Sequence, residues 1–366
     1  MVRKLLVFTS GGMMNPASRI RGYYMAKYLS ENGFDVKVFL YENAGGNTVE
    51  KVLHLIREFF NRIRIVIQSS KETLIYIQRG ICPVPKLSLI FFIFSKFISR
   101  RRVIYDIDDG LFLTEPFATD SLIKLSDAVI AGGHELLNYV RKHNDNVFLM
   151  PTSADLKEYL MHRPLHKGEV RLGFIGSPTT TTYMKLLLKP LGELAKNHDF
   201  ELRIISAPSY AEYRPFNSLF KNLEKRGVKL KLIPWNLQDE FHELQDMDIG
   251  LAPLFDGEWE EYKCGFKTIN YMAAGLPTAA SNVGENRYII QDGVNGLLCR
   301  NSQEWTEKLA KLVENEELRR DLGINARKTV EREYCMEENA KILAKILTEL
   351  HTLGAPSFEN FLVDRT

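Results

Sequence analysis

With 366 residues, 45% of them hydrophobic and 26% charged, the chain has an ordinary globular balance and is too long for a single ordinary core. A formal net charge of +2 argues against a general nucleic-acid binder. The cysteines Cys82, Cys264, Cys299 and Cys335 lie far apart, which gives neither a disulfide framework nor metal-ligand spacing and suits a reducing cytoplasm.

The opening MVRKLLVFTSGG is too short in its apolar run for a signal peptide and reads as a strand entering a glycine turn. ASRIRGYYMAKYLSENG follows as a helix that stops at Gly33, DVKVFLY as a strand, and KVLHLIREFFNRIRIVIQSS as a basic helix. TLIYIQR, RVIYDID, DAVIAG and NVFLMP read as further strands, and strands alternating with helices predict βα units and a parallel sheet. The greasiest segment, Leu87 to Ser99, falls short of the roughly 20 apolar residues of a spanning helix. With Arg100, Arg101 and Arg102 behind it, it reads either as a buried helix with a basic end or as one that touches an anionic membrane.

Near MHRPLHKGEV the rhythm resets. VRLGFIGS opens a second α/β series, followed by LLLKPLGELAKN, ELRIISA, VKLKLIPW, DIGLAPL, PTAAS and GLLC. Two domains are expected, over 1–163 and 168–330, hinged near 160 to 168, with a late helical stretch EREYCMEENAKILAKILTELHTLG and a mobile tail from Ala355. Ligands of open parallel sheets sit outside the C-terminal strand ends, so the chemistry is expected on loops that follow strands, in a cleft between two such domains.

Five of those loops stand out. In TSGGMMNPASRIRGYY, Gly11 and Gly12 allow a tight turn, and Arg19 and Arg21 sit at the start of a helix. Cations oppose the helix dipole there, so they serve an anionic ligand or are simply solvated. In YDIDDGLF, Asp106, Asp108 and Asp109 crowd a strand end and raise one another's pKa unless a metal, an arginine or sugar hydroxyls compensate. An Arg-paired aspartate beside a helix cap is the plainer reading. His134 follows a glycine pair at a strand end and is either structural or a ligand contact. In FIGSPTTTTYM, Gly176 and Ser177 precede a hydroxyl-rich helix start that suits a phosphate or merely caps itself. In KCGFKTINYMAAGLP, Gly265 lets the backbone approach a ligand, and a helix runs from about Phe266 to Gly275. Lys263 and Lys267 flank its positive end, which makes a bound anion the economical explanation, while Asn270 shares the Lys267 face and can meet a polyol.

The run KCGFKTINYMAAGLPTAASNVGENRYIIQDGVNGLL resembles the donor-site signature of family 4, group 1 glycosyltransferases, which have the GT-B fold. NPASRIR, VIYDIDD, NVFLMPTSAD and GFIGSPTTTTYM are similar to one bacterial branch of that family, so the likeness reaches to about residue 350. The resemblance implies an α/β chain of two Rossmann-like, doubly wound domains facing across a cleft. The first is the acceptor domain, completed by a helix at about 333–352 that crosses back to it, and the second is the nucleotide-sugar donor domain. It implies that Lys263 and Lys267 hold the diphosphate and that the backbone of Cys264, Gly265 and Phe266 approaches the sugar or phosphates. Asn270 would meet the ribose, Pro234 and Trp235 would border the base, and Gly11 and Gly12, with Arg19, would close over the phosphates beside Gly176 and Ser177. Asp108, Asp109 and Lys267 are the implied catalytic group, with Arg21, His134 and Glu258 as weaker acceptor or sugar contacts. The family's two glutamates are replaced here by Tyr262 and Asn270, leaving Glu258, Glu260 or Glu261 to fill the first place. A basic pair usual after the first strand of the second domain is absent, and Lys263 and Lys267 take over its charge.

The reading is a glycosyltransferase that moves a sugar from a UDP or GDP sugar to a hydroxyl acceptor with retention, needing no metal or other cofactor. Surface polysaccharide or glycoconjugate assembly is the expected setting, with a glycan or lipid-linked acceptor, in the cytoplasm at the inner face of an anionic membrane, and no nucleic acid. A nucleotide-sugar 2-epimerase and a non-catalytic nucleotide-sugar or glycan-binding partner are the rivals. A nicotinamide oxidoreductase is disfavoured, since no G-x-G-x-x-G is present.

Overall fold

Strands such as LIYIQ, VIYDI and AVIA are buried at every position, as a parallel sheet covered on both faces requires. The computed structural model describes residues 3–159, 168–207 and 214–353. Positions 160–167 of the expected hinge, and the tail from Ala355, lie outside the described residues. The chain divides into two compact units.

The first unit comprises Met1–Ser153, Tyr262–Cys264 and Met336–Thr366. Its strands are β1 (Arg3–Thr9), β2 (Phe34–Phe39), β3 (Leu74–Gln78), β4 (Val103–Ile107), β5 (Ala128–Ala131) and β6 (Val147–Leu149). They pair in parallel in the order β2-β1-β3-β4-β5-β6. The chain winds outward to β2 and returns past β1 to β3, so the direction of winding reverses between β1 and β3. The loops after those two strands therefore flank the position where doubly wound sheets bind ligands. The late helix, Met336–Leu353, belongs to this unit, where Asn339 Nδ2 donates to Ser153 Oγ at 2.7 Å.

The second unit comprises Ala154–Glu261 and Gly265–Cys335. Its strands are β7 (Val170–Ile175), β8 (Phe200–Ser206), β9 (Lys229–Pro234), β10 (Ile249–Ala252), β11 (Thr278–Ser281) and β12 (Leu297–Cys299). Their order, β12-β11-β10-β7-β8-β9, is again parallel, with the reversal between β7 and β10.

Two segments depart from the simple helical reading. Ser18–Tyr24 winds as a π-helix before Met25–Glu31 continues as an α-helix. The Thr180–Leu187 segment is a 3-10 helix, held at its start by the Ser177 carbonyl, which accepts from Thr180 Oγ1 and Thr181 Oγ1, each at 3.1 Å. The late helical stretch breaks at Tyr334 and Cys335, between Glu316–Glu333 and Met336–Leu353. No helix among the described residues is long and apolar enough to cross a membrane.

The end of β7 depends on one hydroxyl. β10 pairs with β7 only at Leu172 and Gly173, so the Ile175 N–H needs another partner. Tyr271, fully buried, accepts it through its hydroxyl at 2.8 Å. The ring lies where a Cβ on Gly250 would come within 2.4 Å of it, so β10 carries glycine there. Tyr271→Phe should leave a buried N–H unmet and cost about 1–3 kcal/mol in urea unfolding. An unchanged midpoint would show that β7 does not rely on this bond.

Candidate active site

Each sheet places its ligand-facing loops at the C-terminal strand ends, and the first unit gathers several predicted residues there. After β1 the chain turns through Gly11, whose N–H donates to Ser18 Oγ at 3.2 Å. Ser18 Oγ donates to Gln78 Oε1 at 3.4 Å, and Gln78 Nε2 donates to Asp108 Oδ1 at 3.2 Å. A hydrogen-bond path thus joins the glycine turn, the end of β3 and the carboxylates after β4. Gly12 lies against Glu42, whose Oε1 accepts from the Met13 N–H at 3.0 Å. Arg19 is buried, and its guanidinium donates to the Met13 carbonyl at 3.0 Å, bracing the same turn.

The carboxylates of YDIDD find their compensation inside the unit. Arg21 donates through Nε and Nη2 to both oxygens of Asp106, at 2.8 and 2.9 Å, and through Nη1 to the Met150 carbonyl at 2.8 Å. Burial lowers the Arg21 pKa, but Asp106 outweighs it and holds the guanidinium above its ordinary value. The anion that the helix-end argument required at Arg21 is therefore a residue of this chain. Tyr76 also donates to Asp106.

Arg79 compensates the other two carboxylates. It donates through Nε to Asp108 and through Nη2 to Asp109. Burial pulls its pKa down, and the two carboxylates more than offset that. Its backbone lies at φ 61, the left-handed region that a non-glycine residue enters only under constraint. The Arg79 N–H donates to the Asp106 carbonyl at 2.9 Å, and Tyr105 Oη donates to the Arg79 carbonyl at 3.3 Å. β3 ends at Gln78, so the arginine that reads as the last residue of the strand TLIYIQR is instead the turn that carries a bridge between Asp108 and Asp109. A basic residue closing a buried strand was the available signal.

Lys263 and Cys264 join the same cluster. Lys263 Nζ is 3.7 Å from Asp109, and Cys264 Sγ donates to the Asp108 carbonyl at 2.8 Å. Tyr262, at the place of the family's first glutamate, packs edge-on against Phe112 with ring centroids 4.8 Å apart. His134 opens the His134–Val140 helix, half-buried, after an extended Gly133.

In the second unit, Gly265 has φ 61 and no side-chain cap, and it starts the Phe266–Ala273 helix. A Cβ on Gly265 would fall 2.4 Å from Ile289 Cδ1, so both its conformation and its surroundings demand glycine. Lys267 sits on the first turn with Nζ 5.8 Å from the centre of the Phe174 ring. The edge of that ring faces Gly176, where a Cβ would lie 2.7 Å from it. Lys267 and Gly176 are thus brought to one ring. Ser177 is exposed and within 3.0 Å of Thr179 Oγ1. The remaining predicted residues lie otherwise. Asn270 is buried, and its Oδ1 accepts from Tyr159 Oη at 2.9 Å. Pro234 is exposed, while Trp235 is half-buried and donates through Nε1 to Glu240 at 3.2 Å. Glu258 is exposed, whereas Glu260 accepts from Tyr183 Oη at 2.7 Å and Glu261 pairs with Arg287. Among the described residues, no group of three or more His, Cys, Asp or Glu side chains is placed to hold a metal ion.

Comparison with known proteins adds the family. Residues 169–315 match the family model described as glycosyl transferases group 1. This segment, within the second unit, is thus similar to the group 1 glycosyltransferases. Over 88 residues it is 35% identical to an uncharacterized glycosyltransferase of Methanocaldococcus jannaschii, covering 24% of this chain and 25% of that protein. Over 192 residues it is 24% identical to the spore coat protein SA of Bacillus subtilis, covering 50% of this chain and 49% of that protein. The chain thus matches between a quarter and about half the length of these curated relatives. The crystal structure of HepE from Anabaena in complex with UDP-glucose superposes with a TM-score of 0.74 at 14% identity, covering 95% of this chain and all of that one. That likeness shows the fold, and the two parallel six-stranded units are those of the GT-B fold.

The arginine bridge gives a test. Arg79→Ala would leave Asp108 and Asp109 close together without their guanidinium, lowering stability by roughly 3–5 kcal/mol in urea unfolding. Arg79→Lys should recover only a fraction of that, since an ammonium lacks the two-pronged geometry. Adding Asp108→Asn and Asp109→Asn to Arg79→Ala should restore much of the loss; no restoration would mean that Arg79 acts by packing alone.

Proposed function

We propose that the chain is a glycosyltransferase that moves a sugar from a nucleotide-diphosphate sugar to a hydroxyl acceptor, with retention of configuration. The observation that carries this reading is the start of the Phe266–Ala273 helix. A left-handed Gly265 without a side chain leaves the first turn to the backbone N–H groups, and Lys267 adds a cation where the helix dipole is already positive. That combination is unfavourable alone and favourable with a diphosphate in front of it. As the sugar–phosphate bond breaks, negative charge grows on the departing diphosphate, and fixed N–H donors with Lys267 stabilise it without reorganisation. Gly176 borders the same Phe174 ring, with Ser177 next to it in the chain, which supports a shared donor site on the second unit. Asp108 and Asp109 are proposed to meet the sugar or orient the acceptor hydroxyl, in an arrangement set by Arg79. Same-face attack, with a phosphate oxygen taking the acceptor proton, is the retaining route this arrangement would serve.

UDP is the first nucleotide to test, because HepE was crystallised with UDP-glucose. A glycan or lipid-linked acceptor of surface polysaccharide or glycoconjugate assembly, reached at an anionic membrane, fits the first unit. There the Thr48–Gln68 helix exposes Val49, Leu53, Ile56, Phe60 and Ile67 along one face. One observation favours a second reading, a partner that binds the nucleotide-sugar without turning it over: Asn270, at the place of the family's second glutamate, gives its carbonyl oxygen to Tyr159.

Calorimetric titration with UDP and with GDP, without metal, tests the proposal. One nucleotide should bind, and Lys267→Ala should weaken it roughly 10- to 100-fold. Binding that ignores Lys267→Ala would move the diphosphate away from this helix, and binding of neither by folded protein would overturn the reading. Binding without sugar transfer across glycan and lipid-linked acceptors would favour the non-catalytic partner.

A further inference from the structure

Charge is spread unevenly along the chain. Residues 47–102 hold eleven Lys and Arg against three Asp and Glu, a net of +8 in a chain whose whole net charge is +2. Some of that excess serves internal structure, since Arg62 and Arg101 are buried and Arg79 bridges two aspartates. Of the remainder, Lys71, Arg100 and Arg102 lie at the N-terminal ends of β3 and β4, the opposite end of the sheet from Asp108 and Asp109.

Arg100 follows the Phe94–Ile98 π-helix with φ 53, in the left-handed region. The Ser99 N–H reaches the Phe94 carbonyl and the Arg101 N–H reaches the Ser95 carbonyl, both at 2.9 Å, so Arg100 closes the helix at a position that favours glycine. Arg101 then donates through Nη2 to the Ser69 carbonyl at 2.8 Å and the Val66 carbonyl at 3.3 Å, tying this turn to the end of the Thr48–Gln68 helix. Beside the tie is a cavity of about 220 Å³ lined by Lys71, Glu72, Thr73, Arg100, Arg102 and His351. Arg102 gives one nitrogen to the Leu350 carbonyl. Among the described residues no carboxylate pairs with Lys71 or Arg100. Three cations against Glu72 leave a net positive concavity that matches a phosphate group. Close to it along the chain stand exposed apolar side chains: Ile67, Phe97 and Ile98 are 62%, 54% and 69% exposed, within four residues of Lys71 or Arg100. Large apolar side chains next to a cationic hollow suit an interface with charged headgroups over hydrocarbon.

We infer that this hollow takes the phosphate of an anionic phospholipid, with Ile67, Phe97 and Ile98 entering the acyl boundary. The inference rests on the proposed membrane association and not on the proposed sugar transfer. It assigns a headgroup site to the N-terminal ends of β3 and β4, next to the C-terminal end of the Thr48–Gln68 helix, whose exposed apolar face ends in Ile67.

The test is co-sedimentation of the full chain with vesicles of phosphatidylcholine alone and of phosphatidylcholine mixed with phosphatidylglycerol. The protein should bind only the anionic vesicles. The double variant Lys71→Ala/Arg100→Gly should bind them roughly 25-fold more weakly, about fivefold per charge. Glycine suits φ 53, so this variant should melt no lower than the parent, which separates lost binding from lost fold. Ile98→Asp should also weaken binding, through the lost apolar contact. If the double variant binds anionic vesicles as the parent does, the headgroup site is wrong while the membrane reading stands. If the parent ignores anionic vesicles, both fail. If the parent ignores vesicles yet binds glycerol 1-phosphate in solution, and the double variant does not, the hollow takes a soluble phosphate and the lipid assignment is overturned.

Discussion

Three carboxylates fall within four residues at the end of β4, and the first unit is organised around giving each a guanidinium partner. Asp106 and Asp108 are buried, a state whose solvation cost is several kcal/mol per ion unless counter-charges and donors stand in fixed positions. Arg21 supplies one set from the helix after β1, and Arg79 supplies the other from the end of β3. Lys263 adds a third counter-charge from a segment distant in sequence, and the neighbouring Cys264 thiol holds the Asp108 backbone carbonyl. The left-handed backbone at Arg79 follows from this demand. An extended Arg79 would continue β3, whereas the turn delivers its N–H to Asp106 and its guanidinium to Asp108 and Asp109 together. Local strain of order 1–3 kcal/mol is small against leaving two carboxylates unpaired.

The second unit uses the opposite device. Where the first unit neutralises its charged loop from within, the start of the Phe266–Ala273 helix gathers positive potential from the dipole, from uncapped N–H groups and from Lys267. The Phe174 ring beside Lys267 matters here, because an aromatic face orients an ammonium without cancelling its charge as a carboxylate would. Gly176 keeps a side chain away from that ring, and Gly265 avoids a clash with Ile289 at the helix start. The dipole and the cation act together at this helix start, which is why it is the proposed donor anchor.

Much of this was legible in the sequence, because parallel strands buried on both faces read as unbroken apolar runs. The twelve runs assigned as strands, from KLLVFTS to GLLC, fall on β1 to β12, and the glycine turns fall at strand ends. What was not legible depends on partners far apart in sequence. Arg21 reads as a cation at a helix start, and only the fold reveals Asp106 beside it. Asn270 shares a helix face with Lys267 by spacing, yet Tyr159, 111 residues away, holds its carbonyl oxygen. Arg79 is hidden because a strand-ending arginine looks the same whether it points to solvent or bends into the left-handed region to bridge two aspartates. Periodicity reports which face a residue occupies and is silent on what that face meets.

The arginines and lysines of residues 47–102 carry the same lesson into charge. Their net of +8 is a property of composition, but its meaning depends on how each cation is used. Arg79 is consumed by carboxylates, and Arg62 and Arg101 by backbone carbonyls at the ends of elements. Carbonyl partners fix a guanidinium in place and leave its charge uncompensated, so the potential of Arg101, held by the Ser69 and Val66 carbonyls, adds to that of Lys71, Arg100 and Arg102. Lys71, Arg100 and Arg102, with Glu72 as the acid lining the hollow, concentrate part of that excess at the N-terminal ends of two central strands. The apolar residues close to the hollow along the chain carry the same implication, since exposed Phe97 and Ile98 lower the free energy of the protein only when something other than water covers them.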